Sequence, residues 1–371
     1  MNILATMKKQ YLKKELKTKE MQSKDTAQPK VFIGIDIHKR SWKIHTATDL
    51  FDGRSITMPP KAESLRQYIE KHYPRHNVYS VYESGCCGYR AHRSFKGYGW
   101  RSLVVNPADI SKTGKSRYQK TDKIDARLLC RELKDGRISS ITIPDVQREQ
   151  LRCLFRRRNS LVKDFRKVKT KLKMQLLYLG ISIPEELDKP KWTHAFRNWV
   201  KALEFSHSTA AETISSQLEQ YEFIDYQIRK VSVLLRKYCR RHYKKDYYLL
   251  RSIPGIGSIV ACGILSELGD LRRFSNFKQL ASYVGLVPSL HESGDNSRTK
   301  GVTPRANRIM RSYFVEASWQ ALRYDPVMQQ YYRKHAGKDV KRIIIKVARK
   351  LLSRTLAIIK TETPYAIGVV S

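Results

Sequence analysis

Residues 31–37 read VFIGIDI, a run of apolar, strand-forming residues that contains one carboxylate, Asp36. An ionised carboxylate that faces a core is costly to bury unless it has a partner. A bound metal ion would be such a partner. The stretch therefore predicts a buried strand that carries a ligand near its carboxyl end, where open α/β sheets bind their ligands.

Around this stretch, strand-like and helix-like segments alternate up to about Gly136, which predicts an α/β domain. VFIGIDI and SWKIHTAT read as the two strands of a hairpin, and RSITM, NVYSVYE and RSLVVN read as three more strands. Helical patterns follow in AESLRQYIEKHY, GYRAHRSFKGYG and DKIDARLLCRELKDG.

The rest of the chain has helical periodicity. Between residues 151 and 176, and again between 214 and 238, apolar residues recur three, four or seven positions apart. Two such helices can pair as an antiparallel coiled coil or belong to an ordinary helical subdomain, and periodicity alone does not separate these readings. From Tyr247 onward a third, mostly helical region begins.

These patterns predict four segments. They are a flexible basic arm (1–30), an α/β catalytic domain (31–145), a coiled-coil helical segment (146–246) and a helical C-terminal domain (247–371). The predicted fold class is therefore α/β followed by all-α.

The charge of the chain indicates a polyanionic partner. Lys and Arg number 72 against 34 Asp and Glu, which gives a formal net charge of +38. The cations are spread along the chain among 21 Tyr and 5 Trp that can stack on bases. A highly solvated ribosomal-type protein is the alternative, and the 41% of hydrophobic residues disfavours it.

The six cysteines show no CxxC spacing and no paired histidines, so neither a zinc site nor a disulfide framework is predicted. Cys86 and Cys87 are expected to be small packing residues at the entry of a helix. The first thirty residues lack the apolar core of a signal peptide, and no stretch approaches the ~18 apolar residues of a membrane span. A soluble cytoplasmic protein is expected.

Three more carboxylates accompany Asp36. Glu83 ends the strand NVYSVYE, and Asp122 and Asp125 lie three apart at a helix start, which puts both on one face. Together the four could hold two divalent ions about 3.5–4 Å apart, as in enzymes that cut phosphodiesters. Mg²⁺ suits such oxygen ligands. Singly, these acids also fit structural roles such as helix capping, so the hypothesis depends on the set.

His38 and Lys39 follow Asp36 closely and could touch phosphate or metal-bound water. A lone histidine after a strand is more often structural. Both residues are therefore left out of the predicted catalytic set.

Two motifs lie in the C-terminal region. SIPGIGSIVACGIL (252–265) has the form of a helix-hairpin-helix, in which Gly255 and Gly257 let backbone N–H groups approach a phosphate, or of a tight turn between helices. GLVPSLHESGDNSRTKG (285–301) reads as a polar loop that contains Ser293, a candidate nucleophile. Composition alone does not distinguish Ser293 from any other loop serine. The predicted nucleic-acid contacts after Gly257 are Lys300, Arg305, Arg308 and Arg311.

The order of GIDIHK, YESG, KTDKIDA, IPGIG, LASYVGLVPS, ESG and the arginine-rich helix resembles the DEDD insertion-sequence transposases, also called bridge-RNA-guided recombinases, over about residues 31–324. The resemblance implies an RNase-H-like (RuvC-like) domain whose Asp36, Glu83, Asp122 and Asp125 bind metal. It also implies that Ser293 attacks DNA and forms a phosphoserine link. It further implies a homo-oligomer, a dimer or tetramer, and a structured guide RNA that pairs with donor and target double-stranded DNA.

The predicted function is thus DNA strand cutting and rejoining by a transposase. One alternative is a RuvC-like Holliday-junction nuclease, which needs the four acids and uses water instead of Ser293. The other is a non-catalytic nucleic-acid-binding protein, for which the charge and the helix-hairpin-helix suffice.

Overall fold

The computed structural model describes residues 28–110, 122–293, 296–303, 306–337 and 339–368, with the backbone alone for residues 122–124 and 289–301. The basic arm predicted for residues 1–30 lies almost wholly outside the described residues. The chain forms two compact units, which divide between Ile143 and Pro144. In the part of the chain that the structure describes, no helix is long and apolar enough to cross a membrane.

The first unit is built on five strands. They are β1 (Lys30–Ile37), β2 (Trp42–Thr48), β3 (Asp52–Met58), β4 (Asn77–Glu83) and β5 (Arg101–Val105). They form one mixed sheet in the order β3-β2-β1-β4-β5, with β1, β4 and β5 parallel and β2 antiparallel to both of its neighbours. The five predicted strands and the α/β class are confirmed.

Helices cover both faces of this sheet. They are α1 (Ala62–His72), α2 (Arg90–Gly97) and α3 (Asp122–Lys134). Leu65 of α1 and Phe95 of α2 are fully buried in one core with Ile33 of β1. Leu129 of α3 packs with Phe32 in the core of the other face. The three predicted helices are confirmed, with ends that differ by a few residues.

Helix α3 packs closely against the sheet at Gly34. A Cβ atom on Gly34 would overlap the carbonyl oxygen of Ala126 and lie 3.0 Å from the Cα of Cys130. The Cys130 thiol donates a hydrogen bond to the carbonyl oxygen of Phe32, at 3.2 Å. Glycine at this position therefore allows helix backbone and strand backbone to touch.

We expect Gly34→Ala to lower the free energy of unfolding of the first unit by about 3 kcal/mol, because the added methyl group meets backbone atoms that cannot rotate away. Urea unfolding followed by circular dichroism measures the effect. Gly97→Ala is the matched control, since a Cβ there meets nothing within 4 Å. Equal midpoints for the two variants would contradict the expectation.

The second unit is mostly helical. Its helices are α4 (Val146–Tyr178), α5 (His194–Lys201), α6 (Ser208–His242), α7 (Lys244–Arg251), α8 (Ser258–Gly263), α9 (Phe277–Val284), α10 (Arg308–Tyr324), α11 (Pro326–Arg333) and α12 (Val340–Thr361). A single π-helical turn, Ile264–Leu268, follows α8 directly. Two strands, β6 (Pro288–Ser293) and β7 (Asn296–Val302), form an antiparallel hairpin.

The two long helices of this unit, α4 and α6, pair antiparallel. Phe165 of α4 stacks on Tyr221 of α6 with ring centroids 4.7 Å apart, and Arg158 donates from Nε to the hydroxyl of Ser232, at 2.8 Å. The apolar positions predicted from the periodicity are the ones that the pair buries, wholly or in part. The hydrophobic core continues from this pair into α7, α8 and α10.

Two sequence predictions need correction. Residues 288–293 and 296–302 do not form a loop: they are the paired strands β6 and β7, whose backbone pairing needs no apolar alternation. Cys86 and Cys87 are not packing residues, because both are exposed, with their sulfur atoms 3.9 Å apart. They lie in the turn after β4, and α2 begins only at Arg90.

Candidate active site

Two of the predicted carboxylates lie side by side at one edge of the sheet. Ile35 of β1 pairs in register with Tyr82 of β4, and both side chains face the core under α1 and α2. Asp36 and Glu83 come next on the two strands. Because successive side chains alternate across a strand, Asp36 and Glu83 face the opposite side of the sheet, where α3 lies. Neighbouring strands are about 4.8 Å apart, so the two acids are close neighbours.

Helix α3 brings its N-terminal end to the same edge. Its contacts with β1 run from Cys130 at Phe32 to Ala126 at Gly34, so the helix runs opposite to the strand. Its first turn therefore lies towards the carboxyl end of β1. Asp125 is half-buried there.

The fourth acid, Asp122, is the first residue of α3, and its side chain lies outside the described part. Among the side chains that are described, no three Asp, Glu, His or Cys groups lie close enough to hold a metal ion. The backbone nevertheless brings the carboxyl ends of β1 and β4 and the start of α3 to the same edge of the sheet. The donor set there is all carboxylate oxygen, which fits a hard divalent cation.

His38, which was not in the predicted catalytic set, contacts the acid site. Its Nε2 atom lies 2.9 Å from Oδ2 of Asp36, with the imidazole exposed and the carboxylate mostly buried. A hydrogen bond of this kind fixes the orientation of a carboxylate. The spacing Asp-x-His at a strand end was the signal for this contact, and it was too weak to separate a positioning residue from a surface histidine.

Ser293 ends strand β6, where its backbone pairs with Asn296 of β7. Its side chain is not described. The base of the hairpin is closed by the backbone N–H of Thr303, which donates to the carbonyl oxygen of Val287 at 3.2 Å. Arg311 of α10 ties this base to the rest of the second unit, because it donates to the carbonyl oxygen of Thr303 at 2.7 Å. Ser293 thus lies at the turn end of the hairpin, opposite its base, and not in an irregular loop.

The second unit also contains a buried carboxylate that sequence reasoning missed. Glu267, in the π-helical turn, is 1% exposed and accepts two hydrogen bonds from Arg156 of α4, at 2.7 and 3.0 Å. Its Oε2 also accepts from the side-chain amide of Asn307, which caps α10. The signal was the same as for Asp36: an acid inside an apolar run, here IVACGILSEL.

We expect Glu267→Gln to lower the free energy of unfolding of the second unit by about 3 kcal/mol, because Arg156 and Arg152 lose the carboxylate that neutralises them. Thermal or urea unfolding measures this loss. Glu186→Gln, at an exposed position in the same unit, is the control and is expected to change stability by less than about 0.5 kcal/mol. Similar losses in both variants would show that Glu267 contributes nothing specific.

The predicted nucleic-acid contacts have different surroundings. Gly255 (φ +86°) packs so closely on the backbone of α10 that an added Cβ atom would overlap the carbonyl oxygen of Ala317. The space beside Gly257, by contrast, is open. Arg308 is exposed. Arg311 donates to the carbonyl oxygens of Gly285 and Thr303, at 3.3 and 2.7 Å, and burial together with Arg308 lowers the pKa of Arg311.

Gly255 and Arg311 therefore have internal structural contacts. The side chain of Lys300 and the whole of Arg305 lie outside the described residues.

A mixed sheet of this strand order, with carboxylates at the ends of its two central strands and on the helix that covers them, is the arrangement expected of RNase-H-like nucleic-acid enzymes. Comparison with protein families agrees with this class. A DEDD-type family described as "Transposase" matches residues 33–179, and "Transposase IS116/IS110/IS902 family" matches residues 247–333. The chain belongs to the IS110 family of insertion-sequence transposases, enzymes that cut and rejoin DNA.

Individual relatives support the same family. The transposase y4qE of Sinorhizobium fredii is 27% identical over 332 residues, which cover 87% of this chain and 80% of the relative. The transposase for insertion sequence element IS1328 of Yersinia enterocolitica is 24% identical, over 77% of this chain and 82% of the relative. The pilin gene-inverting protein of Moraxella bovis is 34% identical, over 32% of this chain and 38% of the relative.

Proposed function

We propose that this transposase cuts and rejoins donor and target DNA through a serine-linked intermediate, with Asp36, Glu83, Asp122 and Asp125 holding divalent metal ions, Mg²⁺ by preference. The observation that carries the proposal is the convergence of both strand ends and the start of α3 at one sheet edge. Membership of a DEDD transposase family supports the use of a divalent metal.

In the proposed reaction, the hydroxyl oxygen of Ser293 attacks a phosphorus atom of the DNA backbone. An Oγ–P bond forms, the bond from phosphorus to one sugar oxygen breaks, and that oxygen takes up the proton that the serine gives up. When bound, the metal ions supply charge stabilisation for the attacking and leaving oxygens. Rejoining is the reverse attack by a sugar hydroxyl.

Two of the four acids are placed by strands and two by a helix. Asp36 and Glu83 lie at the carboxyl ends of paired strands, which support them rigidly, and His38 contacts one oxygen of Asp36. Asp122 and Asp125 come from the first turn of α3, which Gly34 seats against β1. Rigid supports of this kind keep a reacting phosphate in place without reorganisation.

We also propose a structured guide RNA and a homo-oligomer, a dimer or tetramer, in which the serine and the acids of different subunits act on one DNA strand. The net charge of +38 supports the binding of more than one nucleic acid. We assign the helix-hairpin-helix role to residues 252–265, with Gly257, Lys300, Arg305 and Arg308 as phosphate contacts. The family relation to a protein named for pilin gene inversion supports action on two DNA segments.

The test is an assay for a covalent protein–DNA adduct. Purified protein with its co-expressed RNA is mixed with labelled donor and target duplexes and Mg²⁺, and the products are separated on a denaturing gel. A DNA band that shifts to the mass of a protein adduct and returns after protease digestion supports the proposal. Cleavage without an adduct would instead favour a water-using RuvC-like nuclease, and no cleavage at all would favour a binding protein.

A further inference from the structure

A strip of cations runs along the C-terminal half of α6 and into α7. From residue 226 to residue 245 the sequence holds eight Lys and Arg and no Asp or Glu. Side chains from this strip line a groove of about 650 Å³, which we call the α6–α7 groove. Its polar and aromatic lining is Arg236, Lys237, Arg240, Arg241, Lys244 and Tyr248.

The cations of this groove differ from Arg156 and Lys167 on the neighbouring helix α4, because both of those have a carboxylate partner. On α4, Arg156 pairs with Glu267 at 2.7 Å and Lys167 with Asp164 at 3.9 Å. Among the residues that the structure describes, none of the five groove cations forms an ion pair. Five like charges around one groove repel one another, so the groove favours an anionic ligand.

Helix dipoles do not explain this cluster. Cations at a helix C-terminus are favourable, which accounts for Arg240 and Arg241 in the last turn of α6. Lys244, however, is in the first turn of α7, where the dipole disfavours a positive charge. Arg236 and Lys237 lie before the last turn. The helix dipoles therefore account for only part of the set.

Tyr248 indicates the kind of anion. Tyr248 lines the groove and is 54% exposed, although aromatic rings usually bury their surface. A phenol ring beside a row of cations is the arrangement by which proteins hold unpaired nucleotides, with bases on the ring and phosphates on the cations. A base inside a duplex does not offer its face to such a ring.

We propose that the α6–α7 groove binds an unpaired stretch of nucleic acid, whose phosphates contact Lys237, Arg241 and Lys244 while one base stacks on Tyr248. This inference rests on the proposed function in that it adds a binding surface for a nucleic-acid partner. Its residues are different from the contacts assigned above, which are Gly257, Lys300, Arg305 and Arg308. An unpaired strand comes either from RNA or from opened DNA.

The test measures binding without chemistry. Fluorescence anisotropy in EDTA gives the affinity of the full-length chain for labelled oligo(U), oligo(dT) and a DNA duplex, each about 20 nucleotides or base pairs long. The variant Arg241→Gln/Lys244→Gln is expected to weaken strand binding roughly tenfold and to reduce the salt slope by about 0.7 for each phosphate that is no longer neutralised. Arg229→Gln/Lys230→Gln, on the same helix, removes the same charge outside the groove and is the control.

Tyr248→Leu separates stacking from charge. It is expected to weaken strand binding about tenfold and to leave duplex binding unchanged. Equal losses on oligo(U) and oligo(dT) would assign the groove to unpaired strands of either kind, and a loss confined to oligo(U) would assign it to RNA.

The proposal is overturned if the groove variant binds strands as the control variant does, or if Tyr248→Leu affects strand and duplex equally. Because the assay contains no metal ion and forms no adduct, it can fail while the serine mechanism stands, or succeed while that mechanism fails.

Discussion

Ser293→Ala is expected to abolish the covalent protein–DNA adduct and to reduce strand exchange by about 10⁴-fold or more, because the variant has no oxygen to attack phosphorus. The adduct assay on a denaturing gel measures the first effect. Recovery of joined donor–target DNA, quantified by amplification across the junction, measures the second. DNA binding is expected to stay near wild type, because Ser293 is uncharged.

Ser297→Ala is the matched control for this variant. Ser297 lies on the other strand of the same hairpin, where its backbone pairs with Glu292. A loss in both variants would indicate damage to the hairpin instead of loss of a nucleophile. Full cleavage by Ser293→Ala would exclude the serine mechanism and leave water as the nucleophile.

Asp36→Asn is expected to reduce DNA cleavage by about 10³-fold or more, since an amide neither neutralises a divalent cation nor accepts as strongly from His38. Chelation of metal by EDTA is expected to give the same loss in the wild-type protein, with recovery on adding Mg²⁺. Titration of cleavage against Mg²⁺ concentration measures both effects. The variant retains the shape of the side chain, so its unfolding midpoint is expected to change little.

Asp49→Asn is the control for the acid site, because Asp49 is an exposed residue in the turn between β2 and β3. It removes the same charge from the same unit. Cleavage by Asp36→Asn at the level of this control would show that Asp36 binds no essential metal.

The α/β part of the fold was predictable because each element has a strong local signal. The strands around Val31 and Val81 are rich in branched apolar and aromatic residues, which fit a buried sheet, and polar or glycine-containing turns lie between the strands. The long helices were predictable from their spacing of buried leucines. The hairpin β6–β7 was not, because its strands carry polar residues and depend on backbone pairing, which leaves no period in the sequence.

The acid site was partly predictable. A carboxylate in an apolar run marked Asp36, and the same reasoning applied to Glu267 would have found a buried ion pair. The sequence does not show that α3 runs antiparallel to β1 with Gly34 at the crossing, because this follows from packing between segments about ninety residues apart. The internal contacts of Gly255 and Arg311 were likewise invisible, because a sequence motif does not say which atoms face inward.

The antiparallel pair of α4 and α6 also has a mechanical property. Helix α4 has 33 residues, so it is about 50 Å long at 1.5 Å per residue. This is the length of about 15 base pairs of duplex DNA. Because buried positions recur at helical spacing, removing seven residues from each helix shortens the pair by about 10 Å. Nearly the same faces of α4 and α6 remain in contact. The length of the pair can therefore change in steps of seven residues without loss of its packing.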